Sequence, residues 1–382
     1  MGLHHSTLKD CPQCNSEKLV AVEYNGQVVD FCGKCKGKWF EEGELEGAWE
    51  TAHSHLPKGR ALLEEEYSGW SKPLTGQKDT LSCPDCGKEM QYHYLSDNYQ
   101  VELARCPDCN GVWVDEDKRC AVHYAPKVRA AIDEIEKPLG VQHFIFQFIS
   151  RLPAEFNMKP RSTPWVTRIL IVINLIVFAI VFLEPQLWAA GGIVPAELSR
   201  GENLYTLLTH QFQHGDSWHL LGNMFFLYLA GESIEDLVGH YRFLLIYLLG
   251  GFAAAIGQWA MDPNEVIPMI GASGAISGLF GIYLLWFRRA KLTFMLIIYQ
   301  IKVAPWMFFL AWTAVQVIGI YSKMPGIAYS AHLGGFVFGL VVGAAGYRMV
   351  LTDNPVLGHL NGPYVKITSK DKWVSPRNLR AK

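Results

Sequence analysis

Residues Met269–Gly281 read MIGASGAISGLFG. They lie in an apolar run, Ile267–Phe287, close to the length that crosses roughly 30 Å of hydrocarbon. Yet small residues dominate the stretch, and Ser273 is set among glycines. Bulk is given up where a helix needs its neighbour close, because small-xxx-small faces let two membrane helices pack backbone to backbone. Gly274, Gly278 and Gly281 line one such face. Gly335, Gly339 and Gly343 form a matching stripe in a later apolar run, which also carries His332. Contact between the stripes would bring Ser273 and His332 within hydrogen-bond reach.

The rest of the chain fits a polytopic helical membrane domain. Half of the 382 residues are hydrophobic and 18% are charged, against about 25% in a typical soluble domain. Residues 1–165 hold all nine cysteines and most of the acids, and the apolar residues gather after them, so two bodies are expected. Six spans are read, at about Ile169–Leu183, Trp218–Ile234, Tyr241–Met261, Ile267–Phe287, Pro305–Tyr321 and Tyr329–Val350. The segment LTFMLIIYQIKV before the fifth span carries Gln300 and Lys302, and reads as interfacial or re-entrant. Lys159, Arg161, Arg168, Arg288, Arg289, Lys291 and Arg348 fall on one side if the N-terminus is cytoplasmic. The opposite loop MDPNEVIP is acidic. A net charge of −2 argues against a broad nucleic-acid surface, and the opening MGLHHSTLKDC lacks the apolar core of a cleaved leader.

Eight cysteines form four C-x2-C pairs: Cys11/Cys14, Cys32/Cys35, Cys83/Cys86 and Cys106/Cys109. Within each half, 17 or 19 residues separate the pairs. One such turn points two thiolates at an ion and a second closes the tetrahedron, so two structural Zn2+ ions are expected, with none for catalysis. The halves repeat each other: CKGKWFEEGEL after the first quartet aligns with CNGVWVDEDKR after the second. Trp39 and Trp113 are expected to pack against their own metal sites. The intervening segments read as β-hairpins turning at Asn25-Gly26 and Asp97-Asn98. Cys120 has no partner and reads as a free thiol. The ribbons are locally acidic, which favours a cytosolic protein partner over nucleic acid. Between the bodies, Val141, Phe144, Ile145, Phe148 and Ile149 mark one apolar face of an interfacial helix.

Polar residues within spans are costly and mark function. His210, His214, His219 and Asn223 cluster in HQFQHGDSWHLLGNM, and His219 and Asn223 share a helix face. With the second, fourth and sixth spans starting outside, His219, Asn223, Ser273 and His332 reach similar depth. Ser273 would lie about six residues in, roughly 9 Å at helical rise. A serine hydroxyl needs an adjacent base, and His332 is the candidate. No acid matches its depth, so a dyad is read. Asn223, His219 and the Ser273 backbone N–H could serve a developing oxyanion. Three other readings stand beside this one: a metal hydrolase on His210, His214, Asp216 and His219, a membrane scaffold without activity, and a transporter.

The motifs HQFQHGDSWHLLGNM, GASG and AHLGGFVFG, in this order, resemble the rhomboid family of intramembrane serine proteases. The cysteine modules resemble transcription-factor-type zinc ribbons. The resemblance implies a six-helix core with Ser273 as nucleophile and His332 as base. It implies that His219, Asn223 and Ser273 form the oxyanion hole, with His214, His210, Gly271, Gly274 and Gly335 in support. Glu235 matches a family glutamate that helps hold the fold. Substrates would be transmembrane proteins cut near the outer membrane face. Two positions depart from the family pattern: Tyr205-Thr206 replaces a loop Trp-Arg, and Ser277 replaces an aromatic residue that packs on the histidine. The expected organisation is a ribbon over 1–50, a linker over 51–78, a second ribbon over 79–122 and a linker with the interfacial helix over 123–164. A six-helix domain follows over 165–351, with a cytoplasmic tail over 352–382. The expected location is a bacterial inner membrane, multi-pass, with the ribbons in the cytoplasm.

Overall fold

A computed structural model describes residues 9–52, 70–75, 80–136, 154–155, 162–290, 292–296 and 299–366. The interfacial helix expected around Val141–Ile149 lies outside the described residues. Two compact units form, one through Asp133 joined by Pro355–Thr368, the other holding Glu134–Asn354.

In the first unit, β1 (Val20–Tyr24) and β2 (Gln27–Phe31) are joined by Asn25-Gly26, both at positive φ. That conformation is what a two-residue hairpin turn requires. β3 (Lys38–Phe40) and helix α1 (Glu44–Ala52) complete the first half. The second half repeats it with β4 (Gln91–Tyr94), β5 (Glu102–Arg105), β6 (Val112–Val114) and helix α2 (Arg119–Glu136). Its hairpin loop is longer than the turn read at Asp97-Asn98: Tyr94 pairs with Glu102, and Tyr99 drops fully buried into the core with its hydroxyl on the Ala121 carbonyl.

The halves are not separate modules. β3 and β6 pair antiparallel with Trp39 opposite Trp113, giving one sheet ordered β1-β2-β3-β6-β5-β4. The tryptophans are exchanged, which corrects the expectation that each packs on its own metal site. A Cβ on Gly37 would lie 2.2 Å from the Trp113 ring, and one on Gly111 2.2 Å from the Trp39 ring. The Trp39 indole N–H donates to Asp85, in the second half's first knuckle, at 2.9 Å. Lys9 bridges Asp30, Glu41 and Asp85, tying the halves again. A ribbon of this size has little core of its own, and exchange gives both halves a shared one while leaving neither short strand as an open edge.

Residues after the last long helix also join this unit. A short helix, Pro355–Leu360, buries Leu357 and Leu360. Tyr99 and Val365 then form an antiparallel bridge, with the Gln100 N–H on the Tyr364 carbonyl at 2.7 Å. The first unit therefore runs past the expected boundary at 122 and takes in part of the expected tail.

The second unit holds six longer helices among the described residues: α3 (Trp165–Leu183), α4 (Ser217–Val238), α5 (His240–Met261), α6 (Ser273–Trp286), α7 (Pro305–Tyr321) and α8 (Tyr329–Asp353). α3, α5 and α8 are long and apolar enough to cross a membrane. α4 is as long but carries Glu232, Glu235 and Asp236. Large apolar side chains such as Ile176, Phe182, Leu245, Leu310 and Val341 face outward, as a hydrocarbon solvent permits. The segment before α7 is a hairpin of Leu292–Leu296 and Tyr299–Val303, with Ala154–Glu155 as a third strand.

α6 is shorter than the fourth span read from hydropathy. Its 14 residues rise only about 21 Å. Residues 267–272 are extended or turned instead, with Met269 bridged to Ile193 and Gly271 at φ +127°. Ser273 is thus the first residue of its helix, not the seventh.

α6 packs directly on α8. A Cβ on Gly335 would fall 2.1 Å from the Gly274 carbonyl oxygen, and one on Gly339 would come closer still to that of Gly278. Gly281 faces the Phe336 carbonyl in the same way. On the other side Gly334 of α8 meets Ala253 and Gly257 of α5. The Trp286 indole N–H closes the far end on the Gly343 carbonyl at 2.8 Å.

Glu235 shows how a buried acid can hold helices together. It is fully buried near the end of α4. Its carboxylate accepts the Val166 and Thr167 N–H groups at 2.9 and 2.8 Å, the Thr167 hydroxyl at 2.7 Å and His240 Nδ1 at 2.5 Å. The first two are donors that the N-terminus of α3 cannot satisfy within its own helix. One side chain therefore joins α3, α4 and α5.

Candidate active site and metal centres

The backbone contact between α6 and α8 brings two distant residues together. Ser273 Oγ lies 2.8 Å from His332 Nε2. Both line a cavity of about 440 Å³, with His219, Asn223, Gly271 and Trp218 among its other walls. Gly271 is required there twice over. Its φ of +127° is open to glycine, and a Cβ would lie 2.8 Å from His219 Nε2 and 3.5 Å from Ser273 Oγ. The His210 carbonyl accepts the Gly271 N–H at 2.8 Å, fixing the loop that leads into Ser273.

α4 supplies the other wall. Asp216 caps it, accepting the Trp218 and His219 N–H groups at 2.8 and 3.0 Å. Those bonds, His219's first, hold the Asp216 carboxyl below the usual carboxylate range. Asn223 is one turn beyond His219 and buried, and its Nδ2 has no hydrogen-bond partner among the described residues. A buried amide donor facing a cavity is suited to an incoming oxygen anion. The Ser273 N–H stands at the N-terminus of α6, where the helix dipole favours negative charge.

The supporting histidines differ in role. His210 is buried with Nδ1 on the Thr206 carbonyl at 2.7 Å. His214 is buried edge-on to His219, ring centroids 5.0 Å apart. Ligand atoms of three or more His, Cys, Asp or Glu converge, among the described residues, only in the cysteine quartets. The ligand set read on His210, His214, Asp216 and His219 is thus not brought together.

The two departures from the family pattern have local answers. The loop lacking Trp-Arg is anchored by the Tyr205 hydroxyl on the Ala190 carbonyl, Thr209 on Gly191, and Gln213 on Leu187. Ser277 turns back to its own helix, donating to the Ser273 carbonyl at 2.7 Å. His332 is held from α7 instead. Gln316 Oε1 lies 2.8 Å from His332 Nδ1, and the Trp312 ring lies 6.1 Å from the imidazole, tilted 31°. Sequence reading gave α7 no part in the site. The visible signal was a glutamine four residues after a tryptophan in an otherwise apolar span.

In the first unit, Cys11, Cys14, Cys32 and Cys35 converge, as do Cys83, Cys86, Cys106 and Cys109, all eight sulfurs free of disulfides. Neighbouring sulfurs lie 3.4–3.9 Å apart. Tetrahedral coordination with metal–sulfur bonds of about 2.3 Å needs edges of about 3.8 Å, so the quartets fit such an ion. Burial pushes the Cys11 thiol up to about 11, against the Cys14 and Gln13 N–H groups that lower it. Cys120 is exposed and outside both quartets.

Comparison with known proteins agrees with both halves. The family described as Rhomboid domain matches residues 201–349, and that described as Transcription factor zinc-finger matches residues 10–50 and 82–118. Rhomboid protein 1, mitochondrial, of Saccharomyces cerevisiae is 29% identical over 142 residues, covering 36% of this chain and 40% of its own length. RHOMBOID-like protein 4 of Arabidopsis thaliana is 31% identical over 185 residues, covering 46% and 42%. The putative rhomboid protease YdcA of Bacillus subtilis is 39% identical over 80 residues, covering 21% and 40%. The chain thus spans less than half the length of each of these relatives. Residues 201–349, which hold Ser273, His332, His219 and Asn223, therefore match a rhomboid domain, and the two segments that hold the cysteine quartets match zinc ribbons of the transcription-factor type.

Proposed function

We propose that the helical domain is an intramembrane serine endopeptidase that cleaves transmembrane segments of other membrane proteins. The observation that carries this reading is the 2.8 Å contact between Ser273 Oγ and His332 Nε2 at the wall of the cavity. His332 Nε2 takes the hydroxyl proton as Ser273 Oγ attacks the scissile carbonyl. Asn223 Nδ2, His219 and the Ser273 N–H receive the charge that develops on the carbonyl oxygen. His332 then gives its proton to the departing amine, and water releases the acyl group by the reverse sequence. Gly271 leaves the space beside the hydroxyl open, since a Cβ there would stand between His219 Nε2 and Ser273 Oγ, while Gly274 lets α6 approach Ala254 of α5. The named protease relative from Bacillus subtilis supports the reaction class.

All six long helices cross the bilayer in this reading, with α6 completed by the extended segment before it. Support comes from the first unit, which contains residues on both sides of the α3–α8 region. Chain ends that share one folded body must leave the membrane on the same face, so the number of crossings is even. The basic residues before α3, after α6 and at the end of α8 support a cytoplasmic position for that face. There the thiols stay reduced, each quartet holds a structural Zn2+, and the ribbons recruit or regulate through a protein partner.

The test uses the protein in liposomes with a single-span substrate and a fluorophosphonate probe, with and without chelator. Cleavage and labelling that persist in chelator and vanish in Ser273→Ala support the dyad. Cleavage abolished by chelator, with no labelling, overturns it.

A further inference from the structure

We propose that Gln316 is the positioning residue of this site, a neutral third member that sets the tautomer of His332. The inference rests on the Ser273–His332 reading above. To act as base, His332 must present a bare Nε2 to the serine, so its proton must sit on Nδ1. Gln316 Oε1 faces Nδ1 at 2.8 Å and accepts that proton's hydrogen bond. The amide is oriented by its own helix: Nε2 donates to the Trp312 carbonyl at 3.2 Å, which leaves the oxygen toward the histidine. Gln316 is buried on a helix whose flanking Val315 and Val317 are exposed.

Trp312, one turn earlier, covers the imidazole face and packs in turn on Phe280 and Phe336 at 5.8 and 5.5 Å. Two residues of α7 therefore fix the ring, one by its face and one by its N–H. Ser277 cannot do so, because its hydroxyl is committed to the Ser273 carbonyl. A carboxylate at the Gln316 position would hold the same tautomer but bury a charge in an apolar surround. An amide selects the tautomer without that charge.

The cost of neutrality is weaker stabilisation of the protonated ring, which makes the inference testable by pH. The titratable groups that line the cavity with His332 are His210 in the loop before α4, and Asp216 and His219 from the cap and first turn of α4; α5 contributes Ala254, and the α7 residues set against the imidazole, Trp312 and Gln316, do not titrate. The experiment compares wild type, Gln316→Met and Gln316→Glu in liposomes, with rates for a single-span substrate measured across pH. Gln316→Met keeps the side-chain length and loses the acceptor. It is expected to lower kcat about 10- to 100-fold with KM unchanged, a smaller loss than a forced wrong tautomer causes. Gln316→Glu is expected to recover most of that rate at high pH. Its acid limb should move to higher pH, because a carboxylate favours the imidazolium.

Gln316→Met within twofold of wild type, or an acid limb in Gln316→Glu that does not move, overturns the proposal. Ser273→Ala separates this from the parent reading. If it abolishes cleavage while the Gln316 variants behave as wild type, only the role of Gln316 fails. If cleavage survives Ser273→Ala, the dyad itself fails. A Gln316→Met protein that does not fold leaves the decision to the limb shift in Gln316→Glu.

Discussion

Adding one methyl group at Gly335 should disable the site without touching either reacting residue. The Cβ of Gly335→Ala would lie 2.1 Å from the Gly274 carbonyl oxygen, where ordinary contact begins near 3.4 Å. The shortfall is 1.3 Å, and the obstructing atom is backbone one residue from Ser273. α6 and α8 must part, or the helices must strain. His332 is one turn before Gly335 on α8, so parting acts on the 2.8 Å contact itself. Half of the opening, taken along that contact, stretches it to about 3.5 Å, where a hydrogen bond no longer forms well. Misplacement on this scale costs about 10²-fold in rate, and overpacking costs about 1–3 kcal/mol in stability. Gly343→Ala is the graded control: its Cβ meets Ile282 Cα and the flexible Leu285 side chain at 3.1 Å, so its loss should be smaller. The assay is substrate cleavage in liposomes beside thermal unfolding of the same preparations. A Gly335→Ala protein with rate and unfolding temperature near wild type, or equal effects at Gly335 and Gly343, would refute the backbone-contact reasoning.

Three further outcomes follow from particular contacts. Asn223→Ala should lower kcat by about 10²–10³ with little change in KM, as measured by steady-state cleavage, since its Nδ2 donor has no other partner among the described residues. Glu235→Ala leaves two N–H groups and a hydroxyl of α3 without their acceptor and should cost about 2–4 kcal/mol, seen as a lower unfolding temperature. Chelation or acid should strip the cysteine quartets, because protons compete with metal for thiolates. Limited proteolysis should then open the first unit through its exchanged tryptophans, while fluorophosphonate labelling of Ser273 at neutral pH persists.

The cysteine quartets are legible in the sequence because a C-x2-C turn is local geometry and the repeat states it twice. The exchange of Trp39 and Trp113 is not, because nothing in either ribbon says which half its third strand pairs with. The glycine stripes on α6 and α8 are legible because close approach leaves few residues able to fill those positions. The start of α6 is not. Hydropathy runs on from Ile267 unbroken, while the backbone stays extended or turned until Gly271, at φ +127°, turns the chain into Ser273. Matching polar residues by depth finds Ser273, His332, His219 and Asn223, since each carries recognisable chemistry. Gln316 escapes the same comparison, because a lone amide in an apolar helix reads as a packing contact until its partner is seen. The fusion of residues 355–366 into the first unit depends on Tyr99 and Val365, 266 positions apart, and leaves no periodic signal in either segment.

The proposed site stands or falls on Ser273 being a nucleophile activated by His332 inside the membrane. Peptide mapping by mass spectrometry of fluorophosphonate-treated protein in liposomes tests it most directly. A single adduct on Ser273 is expected, absent in Ser273→Ala and at least about 10²-fold slower to form in His332→Ala. An adduct elsewhere, or one that forms on Ser273 at an unchanged rate without His332, would contradict it.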